Sequence, residues 1–257
     1  MKIILNWLCF LGVIAVNALA NILPINGYNT GELSGFYPNA FVPAGFTFSI
    51  WGLIYLLLLS YNIAFTFYTF KKEEYKKAYA FIEQINVPFL ITCCLNMAWI
   101  LAWHFLQIEL SVLIMLLFLS TLIQLFLKSK SHVNDLTATQ KLLLHTPFMV
   151  YLGWISVATI ANFAALFVSY KWDAFGVSEV YWSVMMMGIA VILALIMLKK
   201  YQIVEYALVV TWALWGIRAR QGPIYPLIQS IATVSIVYLL AMISITLVKW
   251  FRKNKIA

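Results

Sequence analysis

Residues 45–69 read GFTFSIWGLIYLLLLSYNIAFTFYT, a continuous run without a charged side chain. About 20 apolar residues are enough for one helical crossing of a bilayer. Inside hydrocarbon the backbone N–H and C=O groups find no water, so such a segment is predicted to be a helix. This stretch therefore places the chain in a membrane.

The whole chain has the same character. Its 257 residues are 64% hydrophobic and 10% charged, with a mean hydropathy of +0.91, against about 25% charged residues in an ordinary soluble domain. No polar stretch is long enough for a soluble enzyme domain on an anchor. We predict an all-α integral membrane protein with about eight transmembrane helices, near residues 3–22, 45–69, 87–106, 110–127, 143–169, 178–198, 202–217 and 226–249.

The prolines agree with this assignment. Pro43, Pro88, Pro147 and Pro226 each lie near the start of an apolar run, where a missing N–H costs little.

The basic residues predict the orientation. If the N-terminus is cytoplasmic, the inner segments hold fourteen Lys and Arg residues and the outer segments hold three. Cytoplasmic loops carry such an excess, so both termini are expected inside a cell membrane of bacterial type. A cleaved signal peptide at residues 1–20 is the alternative for the first run, with Ala18-Leu19-Ala20 as the cleavage-like site.

The net charge of +8 could suggest nucleic acid as a partner, but no soluble basic surface interleaved with aromatics is evident. The expected partners are the lipid bilayer and a small hydrophobic molecule. Cys9, Cys93 and Cys94 lie in apolar runs, which predicts neither a disulfide framework nor a metal site.

Residues 23–44 form the longest outer segment, rich in Gly, Asn and Pro and nearly free of charge. Two interpretations stay open for it. It is either a lid over a site or a plain connector.

Three helices are predicted to direct aromatic and amide side chains to a common interior. The sets, each at helical spacing, are Phe48, Trp51 and Tyr55; Asn96, Trp99 and Trp103; and Trp154, Ala158 and Asn162. An amide in hydrocarbon is costly without a partner, so the two asparagines should face the bundle interior. The pattern fits either tight helix packing or an apolar pocket with two amide groups.

At these residues the chain resembles the TspO/MBR family of tryptophan-rich sensory or translocator proteins. The resemblance rests on residues 43–55 (PAGFTFSIWGLIY), 95–99 (LNMAW) and 154–162 (WISVATIAN), in the family's order. It covers roughly residues 1–170 and implies a five-helix bundle with a pocket for porphyrins or other planar apolar molecules. The resemblance implies that the pocket is lined by Trp51, Asn96, Trp154 and Ala158, with Trp99 nearby.

The chain departs from the family in several ways. Ala44 follows Pro43 where the family has a second proline, and Trp103-His104 replaces an aromatic pair. Residues 171–257 form an additional three-helix extension with a basic cytoplasmic tail, beyond the five-helix bundle of residues 1–170. Family members often dimerise, but no motif decides this here.

The extension contains three further candidates. Glu205 is either a proton or ion site or, as we favour, the partner of Lys199 or Lys200 in an interfacial salt bridge. Arg218 and Arg220 either meet an anionic group, such as a porphyrin propionate, or are solvated at the helix end.

Three functions follow from these expectations. The leading one is a sensor or carrier that stacks a tetrapyrrole-class ligand on Trp51 and Trp154, with Asn96 and Asn162 hydrogen-bonding its polar edges. The second is a proton- or anion-coupled transporter that uses the C-terminal helices. The third, an enzyme that degrades porphyrin, is disfavoured because no general base is evident. No cofactor is required, although a haem-type ligand is considered, with His104 as an axial ligand.

Overall fold

The computed structural model describes residues 1–23 and 25–255. The side chains of Lys253 and Lys255, which the charge count includes, lie outside that description. Within the described residues the regular secondary structure is helical throughout, which confirms the all-α fold class. Ten α-helices follow one another: α1 (Lys2–Asn21), α2 (Thr30–Leu33), α3 (Ile50–Phe70), α4 (Lys76–His104), α5 (Ile108–Ser129), α6 (Ala138–Leu144), α7 (Thr146–Ser169), α8 (Glu179–Tyr201), α9 (Val204–Gln221) and α10 (Pro226–Lys255).

Each of the eight predicted apolar runs lies in a long helix. Within the described residues, seven of these helices are long and apolar enough to cross a membrane, as expected for a multi-pass integral membrane protein. The exception is α9, which has 18 residues and carries Glu205, Arg218 and Arg220. Most of its side chains are nevertheless buried, because α9 packs between α7, α8 and α10. The seventh run, near residues 202–217, therefore forms an interior helix.

Helix α4 is longer than its apolar run. The run predicts a start near residue 87, whereas α4 begins at Lys76 and contains Pro88 in its interior. Residues 76–86 escaped the hydropathy pattern because they are amphipathic, with Phe81, Ile82 and Ile85 buried among charged neighbours. As predicted, Pro147 lies in the first turn of α7, and α10 begins at Pro226.

Helix α7 lies at the centre of the helix packing. It packs against α5, α9 and α3, while α4 packs against α1 and α5. A Cβ added at Gly153 of α7 would lie 3.1 Å from Val209 Cβ and 3.3 Å from Tyr206 Cα of α9. This close approach joins the C-terminal helices to the N-terminal bundle.

Candidate ligand-binding site

The predicted aromatic residues come together in the half of the bundle that holds the N-terminus of α3 and the C-terminus of α4. Trp51 stacks on Trp99, with ring centroids 6.0 Å apart and an interplanar angle of 28°, and on Tyr55 at 5.6 Å and 20°. Trp154 meets Trp51 edge-on at 6.1 Å, and Phe48 meets Trp154 edge-on at 6.0 Å. Because Gly45–Ser49 is a 3₁₀ helix that precedes α3, Phe48 lies just outside the α-helix predicted to hold it.

The rings surround a cavity of about 50 Å³ between α3, α4, α7 and α9. One water molecule occupies roughly 30 Å³ in the liquid, so the cavity has room for one or two. Its lining is almost entirely apolar and includes the predicted residues Phe48, Trp51, Trp99, Trp154, Ala158 and Asn162, as well as Trp103, Ala213 and Ile217.

For two of the four tryptophans at the cavity, the described part of the chain offers no acceptor to the indole N–H. Trp99 Nε1 donates to Asn162 Oδ1 at 3.4 Å, and Trp103 Nε1 donates to the Thr30 carbonyl at 3.3 Å. Trp51 Nε1 and Trp154 Nε1 are buried and find no acceptor among the described residues. A buried donor without an acceptor costs about 1–3 kcal/mol, so these two groups favour an acceptor from outside the chain.

The two amide side chains, by contrast, are engaged within the protein. Asn96 is fully buried; its Oδ1 accepts from Asn17 Nδ2 at 2.8 Å, and its Nδ2 donates to the Tyr151 hydroxyl at 2.8 Å. Asn162 Oδ1 accepts from Ser111 Oγ at 2.8 Å as well as from Trp99. The asparagines face the interior as expected, where they join helices to one another.

An open groove of about 670 Å³ lies between α1 and α3, beside the closed cavity. Asn17, Asn21 and Tyr55 are among its lining residues. The groove and the cavity share Thr30, Phe48 and Trp51. These side chains therefore form the partition between the two spaces.

Residues 25–44, which we call the lid segment, cover the cavity. Leu33, Ala40 and Phe41 are buried, and a capping box at Asn29 begins the short helix α2. Burial, with the nearby carboxylate of Glu109, raises the pKa of the Tyr37 hydroxyl. The segment is a folded cover, so the lid interpretation describes it better than a plain connector.

His104 fastens one edge of the lid segment. Its Nδ1 lies 3.1 Å from the Ile25 carbonyl, which can only accept, so Nδ1 carries the proton. Its Nε2 then accepts from Thr30 Oγ1 at 3.1 Å, and its own carbonyl accepts from Asn26 Nδ2 at 3.0 Å. With both ring nitrogens engaged in hydrogen bonds, His104 is not placed to bind a haem iron. Within the described residues no cluster of three or more His, Cys, Asp or Glu could hold a metal.

Helix α9 fastens the other edge. Gln221 Nε2 donates to the carbonyls of Asn39 and Val42 at 3.1 and 2.9 Å, and the Gly216 carbonyl accepts from Ala44 N at 3.0 Å. The sequence pattern did not single out Gly216 or Gln221 as contacts of the lid segment. The available signal was the polarity of α9, since a spanning helix with three charges is expected to face protein rather than lipid.

Helix α9 also touches the segment just after the lid. Trp212 Nε1 donates to the Thr47 carbonyl at 2.9 Å. A Cβ added at Gly216 would lie 1.9 Å from Thr47 Oγ1 and 2.9 Å from Thr47 Cβ. Glycine is thus required for this contact.

The charged candidates of the extension bind protein groups. Glu205 accepts a hydrogen bond from Thr146 Oγ1 of α7 at 2.8 Å. Because the carboxylate points toward α7, the favoured salt bridge with Lys199 or Lys200 does not form among the described residues. Arg218 Nε donates to Thr233 Oγ1 at 2.8 Å, and Arg220 donates to the Pro43 carbonyl at 3.4 Å. Of the three, Arg220 alone contacts the lid segment.

A family model described as "TSPO-like protein" matches residues 3–245. The match extends past the five-helix segment and into α10. No curated protein and no solved structure matches the chain.

Proposed function

Because the chain belongs to the TSPO-like family, we propose that it binds a planar hydrophobic ligand of the porphyrin class inside the membrane, as a carrier or sensor. The observation that carries this proposal is the pair of buried indole N–H groups of Trp51 and Trp154 at the edge of an apolar cavity, for which the described residues supply no acceptor. A flat ligand with a carbonyl or carboxylate edge supplies those acceptors and stacks on the rings.

The ligand requires more room than the closed cavity provides. Small-molecule pockets measure about 300–1,000 Å³, well above the 50 Å³ between the rings. If Phe48 and Trp51 rotate toward α1, the cavity and the 670 Å³ groove become one site of sufficient size. The ligand then enters laterally from the bilayer, between α1 and α3.

The test is a titration of the purified protein in detergent with protoporphyrin, followed by tryptophan quenching and porphyrin absorbance. Trp51→Phe and Trp154→Phe each keep an aromatic ring but remove the N–H group. Each is expected to weaken binding about tenfold, since a lost hydrogen bond and reduced stacking together approach 1.4 kcal/mol.

The matched control is Trp215→Phe, which removes an indole from α9 at a position 49% exposed. It should bind as the wild type does. Saturable binding of equal affinity in all four proteins would contradict the proposal, because porphyrin adsorbing to detergent or to the outer surface behaves in that way.

We assign both termini to the cytoplasmic side of a cell membrane, in accordance with the charge rule. Lys130, Lys141 and Lys200, from three separate segments, line one cavity at one end of the bundle. With the native cysteines replaced, a cysteine at Asn134 should be protected from an impermeant maleimide in intact cells. A cysteine at Asp173 should be labelled, and the reverse pattern would invert the topology.

A further inference from the structure

A second cavity, of about 610 Å³, lies at the end of the bundle that carries the basic segments. It is lined by parts of α5, α6, α7, α10 and the α8–α9 connection, and its volume suits a small molecule. We call it the basic cavity. None of the residues discussed for the aromatic cavity lines it.

Its charged groups are three lysines and one carboxylate: Lys130, Lys141, Lys200 and Glu205. The ammonium groups of Lys130 and Lys200 lie 4.7 and 5.3 Å from the centroid of the same Tyr201 ring. Within the described residues none of the three lysines forms an ion pair. The three lysines and Glu205 together therefore give the basic cavity a net positive charge.

The rest of the lining is largely apolar and includes Phe126, Leu142, Val204, Leu247 and Trp250. Trp250 is 48% exposed and lies near the end of α10, the position where tryptophan anchors at a membrane interface. Lysines in excess over the single carboxylate, beside an apolar wall, are suited to bind a molecule with an anionic headgroup and a hydrocarbon tail.

We infer that the basic cavity binds the phosphate-bearing headgroup of an anionic phospholipid, with the lysines at the phosphate and the acyl chains along the apolar wall. Basic pockets between transmembrane helices at the cytoplasmic face recognise such headgroups. The apolar wall and Trp250 favour a lipid over a free phosphate compound, which would need no hydrocarbon contact. The inference does not depend on the porphyrin proposal, because the two cavities share no residue.

The experiment uses the full chain in neutral detergent. Native mass spectrometry records retention of phosphatidylglycerol against phosphatidylcholine, and thermal unfolding is measured with each lipid and with inorganic phosphate. The test variant combines Lys130→Gln, Lys141→Gln and Lys200→Gln. The control combines Lys71→Gln, Lys72→Gln and Lys76→Gln, which removes equal charge from the α3–α4 connection and the first residue of α4.

Wild type and control should retain phosphatidylglycerol over phosphatidylcholine, and the test variant should bind it at least about tenfold more weakly. Inorganic phosphate alone should not stabilise the wild type. If the triple variant does not fold, the three single variants carry the comparison. Equal retention by test and control variants, or equal stabilisation of the wild type by inorganic phosphate, would overturn the assignment.

Discussion

Replacing Gly216 by alanine tests how tightly α9 holds the segment that covers the aromatic cavity. The new Cβ would lie 1.9 Å from Thr47 Oγ1 and 2.9 Å from Thr47 Cβ. Rotation of the threonine side chain moves Oγ1 but not Cβ, so the backbone of α9 or of residues 44–49 must shift. That shift weakens the bond from Ala44 N to the Gly216 carbonyl and the bond from Trp212 Nε1 to the Thr47 carbonyl.

The expected destabilisation is about 3 kcal/mol: about 2 kcal/mol for overpacking, and about half of the roughly 1 kcal/mol that each of the two weakened hydrogen bonds contributes. On the scale of about 2–4 °C per kcal/mol for soluble proteins of this length, the unfolding midpoint falls by about 6–12 °C. The assay is thermal unfolding in detergent.

Two further variants show whether the loss of stability in Gly216→Ala arises from the contact with Thr47. Gly188→Ala introduces the same methyl group into α8, where nothing lies within 4 Å, and should leave the midpoint unchanged or raise it slightly. Adding Thr47→Ala to Gly216→Ala removes the 1.9 Å contact and should restore part of the loss. If Gly216→Ala unfolds at the temperature of Gly188→Ala, the reasoning about this contact is wrong.

Three other substitutions test separate parts of the structure. Asn96→Ala removes two buried hydrogen bonds, one to Asn17 of α1 and one to Tyr151, and should lower the free energy of unfolding by about 1–3 kcal/mol. The folded variant should keep its affinity for protoporphyrin, and a selective loss of that affinity would instead make Asn96 a ligand contact. His104→Ala should speed amide exchange in residues 25–31, measured by mass spectrometry, and unchanged exchange would show that other contacts hold the lid segment. Gly153→Val should lower the free energy of unfolding by about 1–3 kcal/mol, and the unfolding midpoint with it, because it forces α7 from α9. An unchanged midpoint would contradict the close packing of those helices.

The sequence predicted the helices because hydrocarbon leaves the backbone no other partner. It also predicted that Asn96 and Asn162 face inward, since an amide exposed to lipid is costly. It did not identify their partners, Asn17, Tyr151 and Ser111, because a spacing pattern assigns a face to a residue without locating the neighbouring helix. Hydropathy missed the first turns of α4 for a different reason: they are amphipathic, and their charged residues face away from the core.

The size of the aromatic cavity could not be predicted from the sequence either. Helical spacing places Trp51, Trp99 and Trp154 on inward faces in either an open pocket or a packed cluster. Side-chain rotation decides between the two, and in the structure Trp51 contacts both other rings. The free indole N–H groups likewise depend on which acceptors happen to lie nearby.

The hydrogen bonds at the two edges of the lid segment favour one route by which the proposed ligand would reach the aromatic cavity. Opening the lid would break four hydrogen bonds at His104, Trp103 and Thr30 and four at α9. At about 1 kcal/mol each this costs about 8 kcal/mol, before Leu33 and Phe41 are exposed.

Rotating Phe48 and Trp51 toward the groove breaks no hydrogen bond to either side chain among the described residues. It disrupts five ring contacts worth about 1 kcal/mol each, and the ligand's own stacking replaces part of them. The lateral route is therefore the less costly one. The polar groups at the C-terminal end of α9 account for this difference, because they hold the lid segment closed. The proposed ligand would then enter from the side of the bundle that faces lipid.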